Sequence, residues 1–379
     1  MKKSPAVKTK MIQHQPSWRV ASSTVEAFIT ERGGHLAPVV FDRKGAAIAP
    51  FAIAPWAGEA LPRETPQVLK SLRGDFFCMP FGGMSRPFRG EHHGLHGETA
   101  NARWKFESLE NGCLHLSLRT TVRPGRVDKR ILLRDGHDAV YSQHVISGMS
   151  GPMTAGHHAT LKFPDEGGVI STSPFVFGKV FDPFEKPAEG GYSALKPGAE
   201  FTSLEHVPAL DGSEADLSLY PARRGFEDLA MIASAPAPFA WTAVTFARQR
   251  FVWFALKDPA VLPSTLFWIT NGGRHYPPWN GRHVNVLGLE EVVTSPDIDL
   301  TKSAGKNAFS NRGIATVLKL HARRPTVINY IMAIAKIPAG FDRVAEIEAG
   351  DGAVILKSRG GKAVKAPLDA GFLKSGPSR

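Results

Sequence analysis

The sequence predicts an all-β protein, a single domain of two large packed antiparallel sheets, on three observations. Val, Ile, Thr and Phe come in short runs broken by turn residues, with Gly 37 and Pro 29 in 379 residues supplying the breaks. No stretch of helical period rivals those runs. No linker with few hydrophobic neighbours divides the series, and no period of about twenty to fifty residues repeats, which disfavours a propeller or solenoid.

Taken in order, residues 1–16 are polar and read as a flexible N-terminal segment, leaving 17–379 as the domain. Residues 18–30 and 35–42 read as two strands joined by the turn Glu31-Arg32-Gly33-Gly34. Prolines at 50, 55, 62 and 66 mark an irregular surface excursion. It leads into 80–104, PFGGMSRPFRGEHHGLHGETANARW, where three histidines and two glutamates sit among glycines. Read as a strand after a shaped loop, this stretch turns His92, His96 and Glu98 to one face and His93 and Leu95 to the other. Strands then follow at 104–108, 113–122, 127–134 and 138–146, with short turns between them in a meander. After 153–163 comes a long Gly/Pro/Phe-rich region, 164–221, of a length that suits a lid or small elements of its own. Strand character returns at 239–246, 251–256, 265–270 and 284–293, and the segments 314–320, 327–337 and 353–356 finish the sheets.

Composition narrows the partners. Two cysteines, Cys78 and Cys113, are too few for a disulfide scaffold and suit a reducing compartment. The basic N-terminus lacks the apolar run of a signal peptide, and no run of about eighteen apolar residues exists to span a membrane. The expected setting is the cytoplasm. The net charge of +11 is spread over several segments that carry no nucleic-acid-binding motif, so it reads mainly as solubility. Its further implication is attraction for an acidic sugar or a sugar phosphate.

Three segments carry candidate chemistry. In GHHATLKF, alternation sends His157, Ala159, Leu161 and Phe163 to a core face and His158, Thr160 and Lys162 to the other. His158 then faces a cleft or solvent, and His157 reads as a packed histidine bonded to a backbone carbonyl. In NVLGLEEVV, adjacent Glu290 and Glu291 interrupt a strand with two apolar faces, so at least one sits where burial raises its pKa and makes it a candidate general base. In FWITNGGRHYPPW, the rings of Trp268, Tyr276 and Trp279 offer flat surface on which a sugar can stack.

The order of these segments resembles the galactose mutarotase-like superfamily, which includes aldose 1-epimerases. The resemblance covers roughly 20–300 and rests on Leu95-His96-Gly97 followed by Trp104, on His158 in a segment resembling the family's Asn-His-x-Tyr-Phe strand, and on Leu289-Glu290 in one resembling its Leu-x-Leu-Glu motif. It implies a β-supersandwich of antiparallel sheets and interconversion of aldose anomers, with a small sugar as partner and no metal or organic cofactor. By position it makes Glu290 the base that takes the C1 hydroxyl proton, His158 the acid at the ring oxygen, and His96 a second donor there. Arg86 and Asp228 are the nearest counterparts of the family's sugar-binding arginine and aspartate. His157, Trp268 and Trp279 complete the candidate substrate contacts. Thr160 and Leu161 stand where the family has aromatic residues, so the preferred sugar can differ. Two other readings accompany this one: a carbohydrate-binding protein without turnover, and a metal-dependent isomerase using His92, His96 and Glu98 with a distant histidine.

Overall fold

The computed structural model describes residues 8–182 and 185–377. Two antiparallel sheets dominate it. The larger runs, by spatial order, through Leu219–Tyr220, Gly168–Thr172, Ala240–Phe246, Phe251–Lys257, Thr326–Lys336, Ala139–Ser147, Gly125–Leu132, Cys113–Thr120 and Lys105–Glu110. The second runs through Glu200–Phe201, Phe175–Val180, Phe226–Ser234, Ser264–Asn271, Val286–Val293, Ala155–His157 and Phe77–Cys78, with Ala159–Lys162 also paired to Val286–Val293. Strand after strand is buried on both faces, which is why these segments read as apolar runs rather than as alternating ones.

Both faces are apolar because layers lie on either side. Phe267, Leu287 and Leu289 of the second sheet share a core with Trp253, Ile328 and Tyr330 of the larger one. The opposite face of the larger sheet, with Tyr141, Phe254 and Ile331, packs against a three-stranded sheet, Val344–Gly350, Ala353–Ser358 and Ala363–Pro367, through Ile347, Val354 and Leu356. The opposite face of the second sheet carries a smaller cluster that includes Leu229, Leu266, Trp268 and Val292. Alternation along one strand therefore sends a side chain either into the sandwich or out to that smaller cluster.

Several sequence expectations are corrected. Residues 1–7 of the N-terminal segment lie outside the described residues, but Lys10–Ile12 and Gln15–Ala21 form a hairpin, and Arg73 donates to the carbonyls of Ile12 and Gln13. Polar composition concealed it. The 18–30 stretch is two strands, and the glycine turn follows the second, with Gly33 and Gly34 at φ +72° and +60°. Residues 80–104 are not a strand but a loop ending in the short helical turn Glu98–Ala100. His96 itself has φ +59°, next to Gly97 at +69°. Region 164–221 carries strands of both large sheets, and Phe226–Ser234, which the sequence reading passed over, sits centrally in the second. Cys78 and Cys113 are both free. Among the described residues no helix is long and apolar enough to cross a membrane.

Candidate active site

The strand Val286–Val293 shows how the sequence builds the site. Leu287 and Leu289 point into the sandwich core and Val292 into the smaller cluster, so the two adjacent glutamates leave by opposite faces. Glu291 turns inward, where Lys257 of the larger sheet pairs with it and the hydroxyls of Thr242 and Thr265 donate to it at 2.7 Å. Glu290 turns outward into a cavity of about 360 Å³. Gly288 precedes it on the same face, and a Cβ there would lie 2.5 Å from Glu290 Oε1.

His158 approaches from the neighbouring chain segment, whose Ala159 pairs with Leu289. Its Nε2 lies 3.1 Å from Glu290 Oε1, and its Nδ1 is 3.3 Å from Thr160 Oγ1. The first contact has ion-pair distance but not hydrogen-bond alignment. Backbone and ring contacts hold the imidazole: His158 N–H donates to the Phe76 carbonyl, and the Phe76 ring stacks on it at 4.3 Å. Thr160 thus supports His158.

His96 arrives from the glycine loop. Its ring centroid is 5.1 Å from that of His158, nearly perpendicular to it, and edge contacts with Phe76 and Phe81 fix its plane. Nδ1 accepts the Gly82 N–H at 3.3 Å, which leaves the proton of the neutral ring on Nε2. Burial sets the electrostatics of all three groups. It pushes the Glu290 carboxyl well above its ordinary range, with the charge of Asp75 adding to the effect. It holds His158 well below the ordinary histidine value, and His96 reinforces this. His96 itself is lowered to about 4 by burial. The unliganded site therefore favours uncharged forms, with one proton shared between His158 and Glu290.

The rest of the cavity wall is aromatic and aliphatic. Trp268 meets the His158 ring at 5.3 Å, edge to face, and Trp279 packs against Trp268. Both line the cavity, as does Tyr276. The site also contains a pair that sequence reasoning missed. Arg274 lies over the Trp279 ring at 4.4 Å and donates to Glu185 at 2.7 Å, and both line the cavity. Beneath them Trp268 Nε1 donates to Glu227 at 2.6 Å, and burial pushes that carboxyl up to about 7. Arg274 stands inside the aromatic segment already singled out, but nothing local distinguishes it from a surface arginine.

The remaining candidates lie elsewhere. His157 is fully buried on the sandwich side, bonded through Nδ1 to the Asp75 carboxylate at 2.8 Å rather than to a backbone carbonyl. Asp228 is one residue from the cavity-side Glu227 and so on the opposite face, where it accepts the N–H groups of Ala194 and Leu195 and burial raises it to about 6. Arg86 is exposed and lines an adjoining cleft. Glu98 accepts from Thr121 and Val122, so His92, His96 and Glu98 do not share the strand face that the metal reading requires.

No protein-family model and no curated protein matches this chain. Solved structures do. A candidate aldose 1-epimerase from Escherichia coli K12 superposes with a TM-score of 0.55 at 12% identity, over 85% of this chain and 100% of the other. A galactose mutarotase-like protein from Clostridium acetobutylicum gives 0.57 at 12%, over 87% and 98%. A galactose mutarotase related enzyme from Lactobacillus acidophilus gives 0.54 at 14%, over 85% and 99%. The chain has the fold of the galactose mutarotase-like β-sandwich proteins.

Proposed function

We propose that this protein is an aldose 1-epimerase-like enzyme that opens and recloses a sugar ring by general acid and base catalysis. The observation that carries the reading is the 3.1 Å contact of His158 with Glu290 on the wall of a cavity of about 360 Å³, with His96 beside them. That volume is in the range of small-molecule sites, and the indoles of Trp268 and Trp279 offer the flat apolar surface a pyranose presents in return. Arg274 and Glu185 supply polar atoms for hydroxyl groups.

In the forward half-reaction Glu290 takes the proton of the C1 hydroxyl while the His158 imidazolium gives one to the ring oxygen. The C1–O bond to the ring breaks, and the aldehyde forms. His96 Nε2–H is a second donor to that oxygen. Rotation about C1–C2 and the reverse transfers give the other anomer, so no proton is gained or lost over the cycle. Ring opening converts an ion pair into a neutral carboxyl and a neutral imidazole. In the empty site the proton of the pair rests on Glu290, so the reaction begins when sugar binding moves it to His158, and burial then favours the neutral forms that ring opening restores.

Polarimetry of freshly dissolved α-anomers across a panel of aldoses tests the reading. At least one sugar equilibrates faster with the protein than in buffer, and Glu290→Gln loses roughly 10²–10⁴-fold of that acceleration while still binding the sugar. Binding without acceleration in the parent protein would leave the non-catalytic carbohydrate-binding reading in its place.

A further inference from the structure

We propose that a basic cleft beside the cavity binds an anionic substituent of the saccharide, so that the preferred ligand is a charged sugar rather than a neutral one. The inference rests on the sugar-binding reading of the cavity and adds a second binding site to it. The cleft, about 590 Å³, shares Ile298 with the cavity and carries Arg86, Lys179, Lys302 and Lys306 against Asp182 and Asp297. Lys302 pairs with Asp297 at 2.7 Å, which leaves Arg86, Lys179 and Lys306 facing Asp182, with the Asp299 carboxylate in the wall behind them. Among the described residues, Arg86 and Lys306 make no hydrogen bond or ion pair, whereas Arg123 pairs with Glu91 and Arg312 with Glu200.

The walls are tied together rather than loosely apposed. The Asp299 carboxylate accepts the backbone N–H and hydroxyl of Ser85, at 2.6 and 2.7 Å, and the N–H groups of Thr301 and Lys302. Gly83 N–H donates to the Ile298 carbonyl at 3.0 Å. One carboxylate thus fixes the loop that presents Arg86 against the segment that presents Lys302 and Lys306. Cations with unused donors on a fixed backbone recognise a phosphoryl or carboxylate group by charge-assisted hydrogen bonds. A ring seated against Trp268 and Trp279 with its charged substituent towards Ile298 would span the two sites.

The test compares glucose, glucose 6-phosphate and glucuronate as mutarotation substrates of the parent and of an Arg86→Ala/Lys306→Ala variant, with calorimetric binding of the same three sugars to Glu290→Gln protein. One of the charged sugars has a KM about tenfold below that of glucose at low salt, the advantage shrinks as salt rises, and the double variant raises its KM about tenfold more than that for glucose. Glucose 6-phosphate and glucuronate separate a phosphoryl from a carboxylate site. Equal KM values for all three sugars, or a double variant that shifts them alike, overturn the proposal while leaving the epimerase reading intact. If no sugar is turned over, the epimerase reading fails, and calorimetry decides the cleft: charged-sugar binding lost on adding Arg86→Ala/Lys306→Ala upholds it, and no preference for charge overturns it.

Discussion

At the scale of the residue, the site depends on one proton held between two buried groups. His158 alone would titrate near about 6.5 and Glu290 near about 4.3 in water. Burial moves them in opposite directions, the imidazole down and the carboxyl up, so the proton of the pair is drawn from His158 toward Glu290. A second proton enters only below the ordinary histidine range, and the shared proton leaves only above the ordinary carboxylate range. The mutarotation rate plotted against pH should accordingly show its acid limb below 6.5; a limb at the free-histidine value would mean that His158 is solvated during turnover. The period of two in GHHATLKF and the order of short motifs brought His158, Glu290 and His96 forward as candidates, and the three line one cavity. Asp228, the sequence candidate for a sugar contact, lies on the opposite face of its strand from the cavity-side Glu227. Arg274 was not legible because its role comes from Trp279 and Glu185, which the fold brings to it.

At the scale of the element, the strand Val286–Val293 distributes two glutamates between two environments, and Gly288 leaves room for one of them. Gly288→Ala would place a methyl 2.5 Å from Glu290 Oε1 and 2.9 Å from Trp268 Cβ, on a strand paired at both sides. Such overpacking costs about 1–3 kcal/mol. The urea midpoint should fall accordingly, and mutarotation should fall further than stability explains because the carboxylate is displaced; an unchanged rate would show that the position of Glu290 is not critical. The loop that carries His96 was misread as a strand for a physical reason. Alternation of polar and apolar residues is shared by strands and by glycine-rich loops, and the positive φ values at Gly82, Arg89, Gly90, His96 and Gly97 separate the two.

At the scale of the whole molecule, the two large sheets are joined across their core by charge as well as by apolar packing. Lys257 stands on one sheet and Glu291 on the other, both about 1% exposed. Lys257→Met leaves a buried carboxylate unpaired and should lower unfolding free energy by about 3–5 kcal/mol, while Lys257→Met/Glu291→Leu should recover most of the loss. Chemical denaturation of the three proteins checks this, and a double variant no better than the single one would assign the loss to packing. The all-β class and most strand positions were legible because doubly buried strands are apolar runs. The outer layer, Val344–Gly350 and Ala363–Pro367, was largely missed, because strands with one face in solvent, such as VAEIEAG, are rich in charge and small residues. The central claim is that His158 and Glu290 exchange protons with a sugar in one cavity. Exchange NMR of the C1 signals measures the α-to-β rate at equilibrium for the parent, His158→Gln and Glu290→Gln proteins. The account predicts exchange above the buffer rate in the parent and near the buffer rate in both variants; equal exchange in all three would contradict it.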